Sequence, residues 1–388
     1  MRAALISIAD TPSLLAGKTV ARRQLDFALA AGCERVIALG NGASAEAIAL
    51  RHAAEARGVR FQCIGDTHGL LGAVPAADEL LVLAPRLLAE DPRALEALER
   101  GSAVLVLPAG PGVAAGFERI DLERAWAGAL VLPGRLVERL ADLAPDSEAT
   151  AALLRIALQA RVAEKRLPDE TLVEGSWAVV GESGKLAQAE QAWLKRNLVP
   201  AAGFTPARQL AQSALRPLAV RLLGQPRALT GLWCGIVIAL GGAVAATAAD
   251  WAGAGFMLVA LGALLAEFAA GLAYLRDAPF ALPGRRRLEA LAPCLVDASL
   301  TVCAALAIDG TWPHRLFAPL VLLAALHASP PRRWANFAAL LGDRSLLALA
   351  FAIAAAFGHL EPAVMAAGLA ILALDATVFR GKSRITPI

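Results

Sequence analysis

Two acidic side chains stand inside long apolar segments of this chain, and they are its first candidates for chemistry. Glu267 lies in AEFAAGLAY and Asp297 in LAPCLVDASLT. Placing a carboxylate in hydrocarbon costs about 2.5–3.5 kcal/mol on insertion scales, so such a residue usually faces a polar cavity. We predict both as candidate catalytic residues. For Asp297 a structural hydrogen bond is the alternative, and Asp375 near the tail is more simply interpreted as reaching toward Arg380.

Three short motifs are weak candidates for phosphate binding. GESGKL at 181–186 is too short for a phosphate loop and lacks a Ser or Thr after its Lys, so it predicts a turn. GNGAS at 40–44 stands between a strand and a helix, where amides can bind an anion, but a tight turn is the simpler interpretation. Lys18 is a weak candidate substrate-binding residue, with a solvated loop lysine as the alternative.

The composition limits the class of protein. The chain has 388 residues, of which 57% are hydrophobic and 18% charged, whereas an ordinary globular domain carries about a quarter charged residues. A membrane must therefore hold part of it. A net charge of +3 is too small to indicate a nucleic-acid partner. The five Cys and five His show no zinc-binding spacing, which predicts reduced thiols and no metal cofactor.

The first 200 residues read as a cytosolic α/β domain of the Rossmann-like class. Short apolar runs predict strands at 3–8, 35–39, 60–64, 79–83 and 103–107, and helices at 20–31 and 45–57 lie between the first of them. This alternation predicts a largely parallel sheet with any ligand at the carboxyl ends of its strands. The N-terminal apolar run reaches Asp10 too soon for a signal peptide.

The second half predicts an all-α domain of six transmembrane helices, at 228–249, 252–275, 288–308, 316–328, 346–357 and 363–379. Lys and Arg cluster before the first segment, in every second connection and in the tail, while the other connections carry almost none. This positive-inside bias predicts a multi-pass protein of a bacterial-type inner membrane with both termini in the cytoplasm.

A basic helix is predicted at 204–223, between the two halves, with an interruption at Pro217. Arg208, Arg216 and Arg221 can lie at the level of the lipid head groups while Leu and Val side chains sink inward. A helical linker whose arginines are only solvated is the alternative.

This order of parts resembles a nucleotidyltransferase-like domain fused to a CDP-alcohol phosphatidyltransferase membrane domain, as in enzymes that make inositol-phosphate lipid precursors. The resemblance rests on LAGKTVARRQLDFALAAGCERVIAL at 15–39, LAQAEQAWLKRNL at 186–198, the Arg216-Pro217 pair within 203–223, and QPRALT at 225–230. It implies a nucleotidyltransferase-like domain over 1–200, a juxtamembrane amphipathic helix over 201–227 and a phosphatidyltransferase-like domain over 228–388.

The resemblance also implies a metal site whose residues are largely replaced. The family's DxxDGxxAR motif aligns with 266–274, where both Asp positions are alanine, Ala266 and Ala269, and the Arg position is Tyr274. In the family's GxxxDxxxD motif, Pro293 takes the first Asp position and Asp297 the last, which the resemblance implies as the general base. Glu267 is rotated by about 100° from Ala266 and cannot replace it. One carboxylate cannot hold a divalent cation that takes six or more oxygens.

The nucleotidyltransferase-like half shows a parallel loss. The family's glycine-rich loop after the first strand has no counterpart before Gly17, and the metal-binding Asp after the fourth strand is replaced by Ala84 and Pro85.

We therefore predict a catalytically degenerate member of this class, acting in polar-lipid head-group metabolism as a lipid binder, partner or regulator. One alternative is an active transferase with a relocated site and Mg²⁺ or Mn²⁺; another is a lipid transporter or scaffold. Membrane lipids are the expected partners, together with a second copy of the chain through the small residues Gly241, Gly242, Ala245 and Ala246. The candidate substrate-binding residues are Arg216, Arg221, Arg285, Arg286, Arg287 and Lys18.

Overall fold

The computed structural model describes residues 1–9, 14–99, 101–144, 147–180, 186–198, 205–280, 291–328, 340 and 342–382. Its contacts divide the chain into two compact units. Unit 1 comprises Met1–Asn197 and Ala278–Leu282, and unit 2 comprises Leu198–Asp277 and Pro283–Ile388.

Unit 1 is an α/β domain built on a mixed seven-stranded sheet. The strands of the unit are β1 (Arg2–Ser7), β2 (Leu14–Leu15), β3 (Lys18–Thr19), β4 (Arg35–Leu39), β5 (Arg60–Ile64), β6 (Glu79–Leu83), β7 (Leu87–Ala89), β8 (Ala103–Pro108), β9 (Arg124–Pro133), β10 (Glu164–Arg166) and β11 (Trp177–Val179). The large sheet has the order β10-β8-β9-β6-β1-β4-β5, and β7–β11 and β2–β3 form two small antiparallel pairs.

Helices connect these strands. They are α1 (Val20–Ala30), α2 (Ala45–Glu55), α3 (Pro92–Glu99), α4 (Ala109–Ala114), α5 (Ala149–Gln159), α6 (Glu170–Val173) and α7 (Leu186–Asn197), with 3₁₀ turns at Thr67–Leu70 and Gly134–Asp142. Thr19 caps α1 and Ser44 caps α2, each accepting a hydrogen bond from the backbone N–H three residues on. Gly32, at φ +73°, follows α1, as its sequence position predicts.

The five predicted strands are confirmed to within two residues at each end, but the sheet is not wholly parallel. β1 pairs in parallel with β4 and β6, β4 with β5, and β8 with β10, whereas β9 runs antiparallel to both β6 and β8. The sequence analysis does not predict β9. Its run AWAGALVL is buried on both faces and lacks the alternation of a half-exposed strand, and Gly128, at φ +80°, interrupts it.

The sheet has a hydrophobic core on each face. Along β1, Ala4 and Ile6 point into one core and Leu5 into the other, as the two-residue period of a strand requires. On the first face the rings of Phe27 and Trp177 meet edge to face, 5.7 Å apart. Trp126 packs in the core of the second face.

A buried charge cluster fastens α7 to the rest of unit 1. The carboxylate of Glu90 accepts hydrogen bonds from Arg23, from Arg196 at 2.6 Å and from the indole of Trp193 at 3.1 Å. Burial lowers the pKa of Arg23, and the attraction of Glu90 opposes that shift. The cluster is buried except at Arg196, and one carboxylate is shared by two arginines, so it reads as a structural clamp.

Unit 2 contains seven described helices. They are α8 (Pro206–Leu223), α9 (Ala228–Ala248), α10 (Ala252–Asp277), α11 (Leu291–Ala307), α12 (Trp312–Ala328), α13 (Arg344–Ala356) and α14 (Leu360–Lys382). α10 packs against α8, α9, α11 and α13, and α12 packs against α11 and α14. The six apolar segments therefore are helices, and two of those in the described residues, α9 and α10, are long and apolar enough to cross a membrane.

The predicted interruption at Pro217 is wrong, because α8 continues through it. Pro217 lies on the exposed face, where water can reach the carbonyl oxygen left without its N–H partner. On the opposite face of α8, buried residues recur every four positions and form one stripe that packs on α10. That stripe consists of Ala207, Ala211, Leu215, Ala219 and Leu223.

The helix order places three connections at one end of unit 2: those between α9 and α10, between α11 and α12, and between α13 and α14. α9 and α10 are joined by Ala249–Trp251, and the start of α10 lies beside the end of α13, with Phe256 and Phe351 5.8 Å apart ring to ring. His314 in α12 pairs with Glu361 in α14 at 3.0 Å, so the first turns of these two helices lie together. We call this the turn end of unit 2, and the other the basic end.

Candidate functional site

A cavity of about 380 Å³ opens in unit 2 between α9, α10 and α11. Its wall on α10 is formed by Ala266, Ala269, Ala270 and Ala273, which repeat at the spacing of a single helix face. These are positions at which the family that this sequence resembles carries its two acids, its glycine and its own alanine. The remaining lining residues are Pro226, Leu229, Thr230, Trp233, Arg276, Asp277 and Ala292.

The cavity is open because the side chains on its α10 wall are alanine methyl groups. Nearer the turn end, α9 and α10 approach closely: a Cβ on Gly262 would lie 2.6 Å from Leu240 Cδ2, and one on Gly255 would lie 2.0 Å from Thr247 Oγ1. Toward the basic end the helices are separated by the cavity, and an alanine side chain is too short to fill it. The cavity is therefore mostly apolar, with polar groups at Thr230, Arg276 and Asp277.

Arg276 holds the polypeptide at the mouth of the cavity. Its guanidinium donates hydrogen bonds to the carbonyl oxygens of Leu222, Gln225 and Pro226, which form the connection from α8 to α9. Pro226 is itself a lining residue. The side chain of Arg276 thus links the end of α10 to the α8–α9 connection.

Asp297 does not line this cavity, although its helix does. Its carboxylate is buried and accepts two hydrogen bonds from Arg344, at 3.0 and 3.3 Å, and His327 Nε2 lies 3.6 Å away. Asp343 caps α13 through the N–H groups of Ser345 and Leu346 and thereby sets the position of Arg344. Asp297 is therefore hydrogen-bonded to a charged partner, which agrees with the alternative that gives this residue a structural role.

Glu267 also points away from the cavity, next to Ala266 on α10. It pairs with Arg208 of α8 at 3.5 Å, and the nearby N–H of Ala207 donates to Asp343 Oδ2 at 2.9 Å. These contacts join the start of α8 to α10 and α13. Glu267 pairs directly with Arg208 and Asp297 with Arg344, and Arg344 is also near enough to Glu267 to interact with it electrostatically.

A divalent metal does not fit these residues. In the described part of the chain, no group of three or more His, Cys, Asp or Glu side chains could hold a metal ion. Hard cations need several oxygen ligands, and the cavity offers one carboxylate, Asp277, beside an arginine. No reaction step is derived through a metal here.

A second place where a ligand is expected lies in unit 1, at the edge of the sheet formed by the carboxyl ends of its parallel strands. Chain order reverses at β1, because β4 follows on one side and β6 on the other, and open α/β sheets bind ligands beside such a point. The residues there are Ser7, Ala84 and Arg86, the last at φ +61° with its side chain donating to the carbonyl of Val180 at 2.7 Å. None of these three described residues is acidic.

The weaker candidate residues are placed as follows. Lys18 pairs with Asp26 at 2.8 Å, so its ammonium charge is already balanced. In GNGAS, Asn41 accepts from the N–H of Ala43 and Ser44 caps α2, which is a turn satisfied by its own side chains. Arg216 and Arg221 are exposed on α8. Outside the described residues lie Arg285, Arg286, Arg287 and most of GESGKL, and the side chain of Asp375 is also outside them.

Sequence reasoning missed Arg276 as a site residue and missed that Arg344 and His327 contact Asp297. Arg276 stands two residues after the aligned motif, outside any family position. Arg344 appears in the sequence only as one of the basic residues that set topology. A buried acid is normally paired, which predicts a cationic partner for Asp297 but does not identify the residue that supplies it.

No model of a known protein family matches this chain, and no curated protein shows a significant match to it.

Proposed function

We propose that this protein is a multi-pass membrane protein that holds a polar lipid in a phosphatidyltransferase-like cavity without catalysing metal-dependent transfer. It would act in polar-lipid head-group metabolism as a lipid-binding or regulatory partner. The observation that carries the proposal is the cavity itself: four alanines at the aligned motif positions line one space of about 380 Å³.

Surface exposure supports a lipid environment for unit 2. The most apolar 18-residue stretch of α9 is only 22% buried, whereas the central helix of a soluble protein is mostly buried. Large apolar side chains face outward on it, including Val237 and Ile238, the latter 73% exposed. A contiguous outward apolar surface of this kind fits hydrocarbon better than water.

Aromatic side chains support the same environment at the turn end. Trp251, Trp312 and Phe357 lie at the three helix turns and are 72%, 61% and 74% exposed. Aromatic rings concentrate where a bilayer meets water. The basic end carries Arg208, Arg216, Arg221 and Arg227 instead, which favours a cytoplasmic position for that end and for both termini.

The absence of transfer chemistry follows from the charges in the described site. A nucleotide diphosphate brings two negative charges that the family neutralises with divalent ions, and the alanine wall offers no ligands for them. Asp297, the residue that the resemblance implies as general base, is bound by Arg344 and is turned away from the cavity. Arg344 occupies both carboxylate oxygens of Asp297, so they are not free to contact an acceptor hydroxyl.

A transfer assay tests the proposal. The purified chain in phospholipid vesicles is given CDP-diacylglycerol, Mg²⁺ or Mn²⁺, and either inositol phosphate or glycerol phosphate as acceptor. Attack of the acceptor hydroxyl on the lipid-side phosphorus would release CMP. We expect CMP at the level of protein-free vesicles. CMP release that Asp297→Ala abolishes would instead establish the relocated-site transferase.

Native mass spectrometry tests whether the protein binds lipid in this cavity. The protein released gently from detergent should carry phospholipid, and Ala269→Leu, which fills the cavity, should release it. Ala254→Leu, at an exposed position of α10 outside the cavity lining, is the matched control and should retain the lipid. Equal lipid retention in both variants would contradict a role for this cavity.

The proposed homodimer would use α9. Of the four small residues in its second half, Gly241 and Ala245 face outward, with open space beside Gly241, while Gly242 packs on Leu258. Outward small residues allow two helices to approach closely in a membrane.

A further inference from the structure

Helix α8 lies across the basic end of unit 2 and is tied there at both of its own ends. At its start, the N–H of Ala207 donates to Asp343, which caps the first turn of α13. At its end, Arg276 in the last turn of α10 donates to the carbonyl oxygens of Leu222 and Gln225. In the proposed orientation of unit 2, these contacts put α8 at the level of the cytoplasmic head groups.

The buried stripe of α8 divides the exposed surface of this helix into two sides. The stripe repeats every four residues, and four residues turn the helix by about 400°, so the residues just before and just after each stripe residue lie on opposite sides of it. The preceding residues form an apolar side, which consists of Leu210, Ala214, Leu218 and Leu222. The following residues form a side that is polar except at its last position, and they are Arg208, Gln212, Arg216 and Val220.

The apolar side suits the hydrocarbon beneath the head groups. Leu210 is 61% exposed and Leu218 is 44% exposed, so both side chains can contact acyl chains. Helices that lie in the plane of a membrane bury such a side about 5–10 Å into the boundary between head groups and acyl chains. The leucines therefore determine which side of α8 faces the membrane interior.

Two arginines of α8 are available to head groups. The helix carries three Arg and no Asp or Glu. Arg208 already pairs with Glu267 at 3.5 Å. Arg216, on the polar side, and Arg221, on the face furthest from the stripe, are exposed and make no side-chain hydrogen bond or ion pair within the described part of the chain. Their charges complement a lipid with a net negative head group better than a zwitterionic one, which carries its own cation.

We infer that α8 is a docking surface for phospholipids of net negative charge, whose acyl chains contact its apolar side and whose phosphates bind Arg216 and Arg221. The inference rests on the membrane placement in the proposed function, and the surface is separate from the cavity. A basic residue near an anionic lipid surface contributes about fivefold in association. The lipids next to α8 should therefore be enriched in anionic phospholipid.

Quenching of a tryptophan on α8 by brominated lipids tests this inference. Leu218→Trp places a fluorescent side chain on the apolar side, and subtracting the signal of the natural chain isolates it from the seven native tryptophans. The full chain is reconstituted in phosphatidylcholine vesicles with a small fraction of phosphatidylglycerol or phosphatidylcholine brominated on the acyl chains. We expect half-maximal quenching at roughly fivefold less brominated phosphatidylglycerol. Equal quenching by the two lipids would overturn the inference.

Charge variants in the Leu218→Trp chain test the two arginines. Arg216→Gln and Arg221→Gln should each lower the preference for phosphatidylglycerol and should abolish it together. Lysine at both positions should keep most of the preference, because it keeps the charges. Arg57→Gln removes an arginine from an exposed position of unit 1 and should leave the preference unchanged. If Arg57→Gln lowered the preference as much as Arg221→Gln, the assignment to α8 would be wrong.

Salt provides a test that needs no change at the arginines. Raising the ionic strength from about 0.1 to about 1 M shortens the screening length from about 10 to about 3 Å. The preference for phosphatidylglycerol should fall several-fold, and a preference that stays the same would contradict binding through charge.

The failure of this inference can be told apart from the failure of the proposed function. If vesicles made wholly of brominated lipid do not quench the added tryptophan, α8 lies outside the bilayer and the inference fails. The transfer assay and the cavity variants would still test the proposed function. CMP release would defeat the proposed function but leave the lipid preference of α8 as it is.

Discussion

At the scale of single residues, replacing a carboxylate by a methyl group changes what a cavity can hold. An acid lining the wall must be paired or hydrated, and a metal with the ligand's phosphates is one way to do so. Ala269 and its neighbours impose no such requirement, so the space can stay open and apolar. Under the proposed function, the replacement would therefore change the ligand class as well as the activity.

Asp91 makes a testable contribution to unit 1 through its charge. Burial alone would raise the pKa of Asp91, but hydrogen bonds from Arg93 and Ser176 lower it below its ordinary value. A lowered folded-state pKa stabilises the fold fully above the unfolded value near 3.9, and this is lost as pH falls through the folded value. We expect Asp91→Asn to cost about 2 kcal/mol at pH 7 and less in acid.

Thermal unfolding followed by tryptophan fluorescence checks this expectation between pH 7 and pH 3. The gap in melting temperature between the natural chain and Asp91→Asn should narrow as the solution becomes more acidic. Asp121 is the matched control: hydrogen bonding by Arg124 lowers the pKa of Asp121 to about 2, but the pair is exposed. Asp121→Asn should have a smaller effect, because water screens the pair. A constant gap for Asp91→Asn would contradict the charge argument.

The residue types predict where apolar and charged side chains stand in the chain, but not which partners the charged ones contact. The alanines at 266 and 269 are visible in the sequence, and the structure places both at one cavity. The pairing of Asp297 with Arg344 joins residues 47 positions apart, and no local pattern encodes it. Lys18 shows the same limit, since Asp26 comes within reach only when α1 folds over the β2–β3 hairpin.

At the scale of elements, strand and helix bounds follow from the sequence where local patterns act alone. β4, β5 and β6 have the predicted limits, and α9 and α10 differ from the prediction by at most two residues. β9 was missed because its direction and place between β6 and β8 depend on the completed sheet. α8 continues past Pro217 because packing of its other face on α10 outweighs one lost hydrogen bond.

Close approach of α9 and α10 depends on one glycine near the turn end. A Cβ at position 255 would lie 2.0 Å from Thr247 Oγ1 and 2.9 Å from the carbonyl oxygen of Ala243, which is backbone and cannot rotate away. We expect Gly255→Ala to separate the helices and destabilise unit 2 by about 1–3 kcal/mol, the usual cost of overpacking. The loss of melting temperature in detergent measures it.

Gly231→Ala provides the comparison on α9, since a Cβ there meets nothing within 4 Å. Alanine favours helix over glycine by about 1 kcal/mol, so this variant should melt at the same temperature or slightly higher. If both variants lost the same melting temperature, the flexibility of glycine, and not the close approach of α9 and α10, would control the stability of unit 2.

At the scale of the whole molecule, unit 2 has two chemically different ends. Exposed aromatic rings occupy the turn end, and the arginines of α8 together with the Asp297–Arg344 pair occupy the basic end, where the cavity also opens. A lipid bound in that cavity would have its head group at the same level as the basic residues. In the proposed orientation, such a lipid would enter from the cytoplasmic leaflet.

Three helices are short for a bilayer over their described residues: α11, with 17 residues, and the next two in the chain, α12 and α13. α12 has 17 residues and α13 has 13, about 25 and 20 Å long against a hydrocarbon layer of about 30 Å. Both pack on longer helices, α13 on α10 and α12 on α14. Short spans are tolerated when neighbouring helices cover them or the bilayer thins locally, so we expect both to cross.

Reporter fusions decide between six spans and four. Alkaline phosphatase is active only outside the cytoplasm, and green fluorescent protein fluoresces only inside. We expect phosphatase activity for fusions after Asp250, Asp309 and Gly358, and fluorescence for fusions after Gly224, Arg332 and the last residue. The fusion after Arg332 discriminates, because with α12 and α13 both outside the bilayer core it would give phosphatase activity. That result would leave four spans and require α12 and α13 to lie at the outer surface, where the ion pair of Asp297 with Arg344 would have to break.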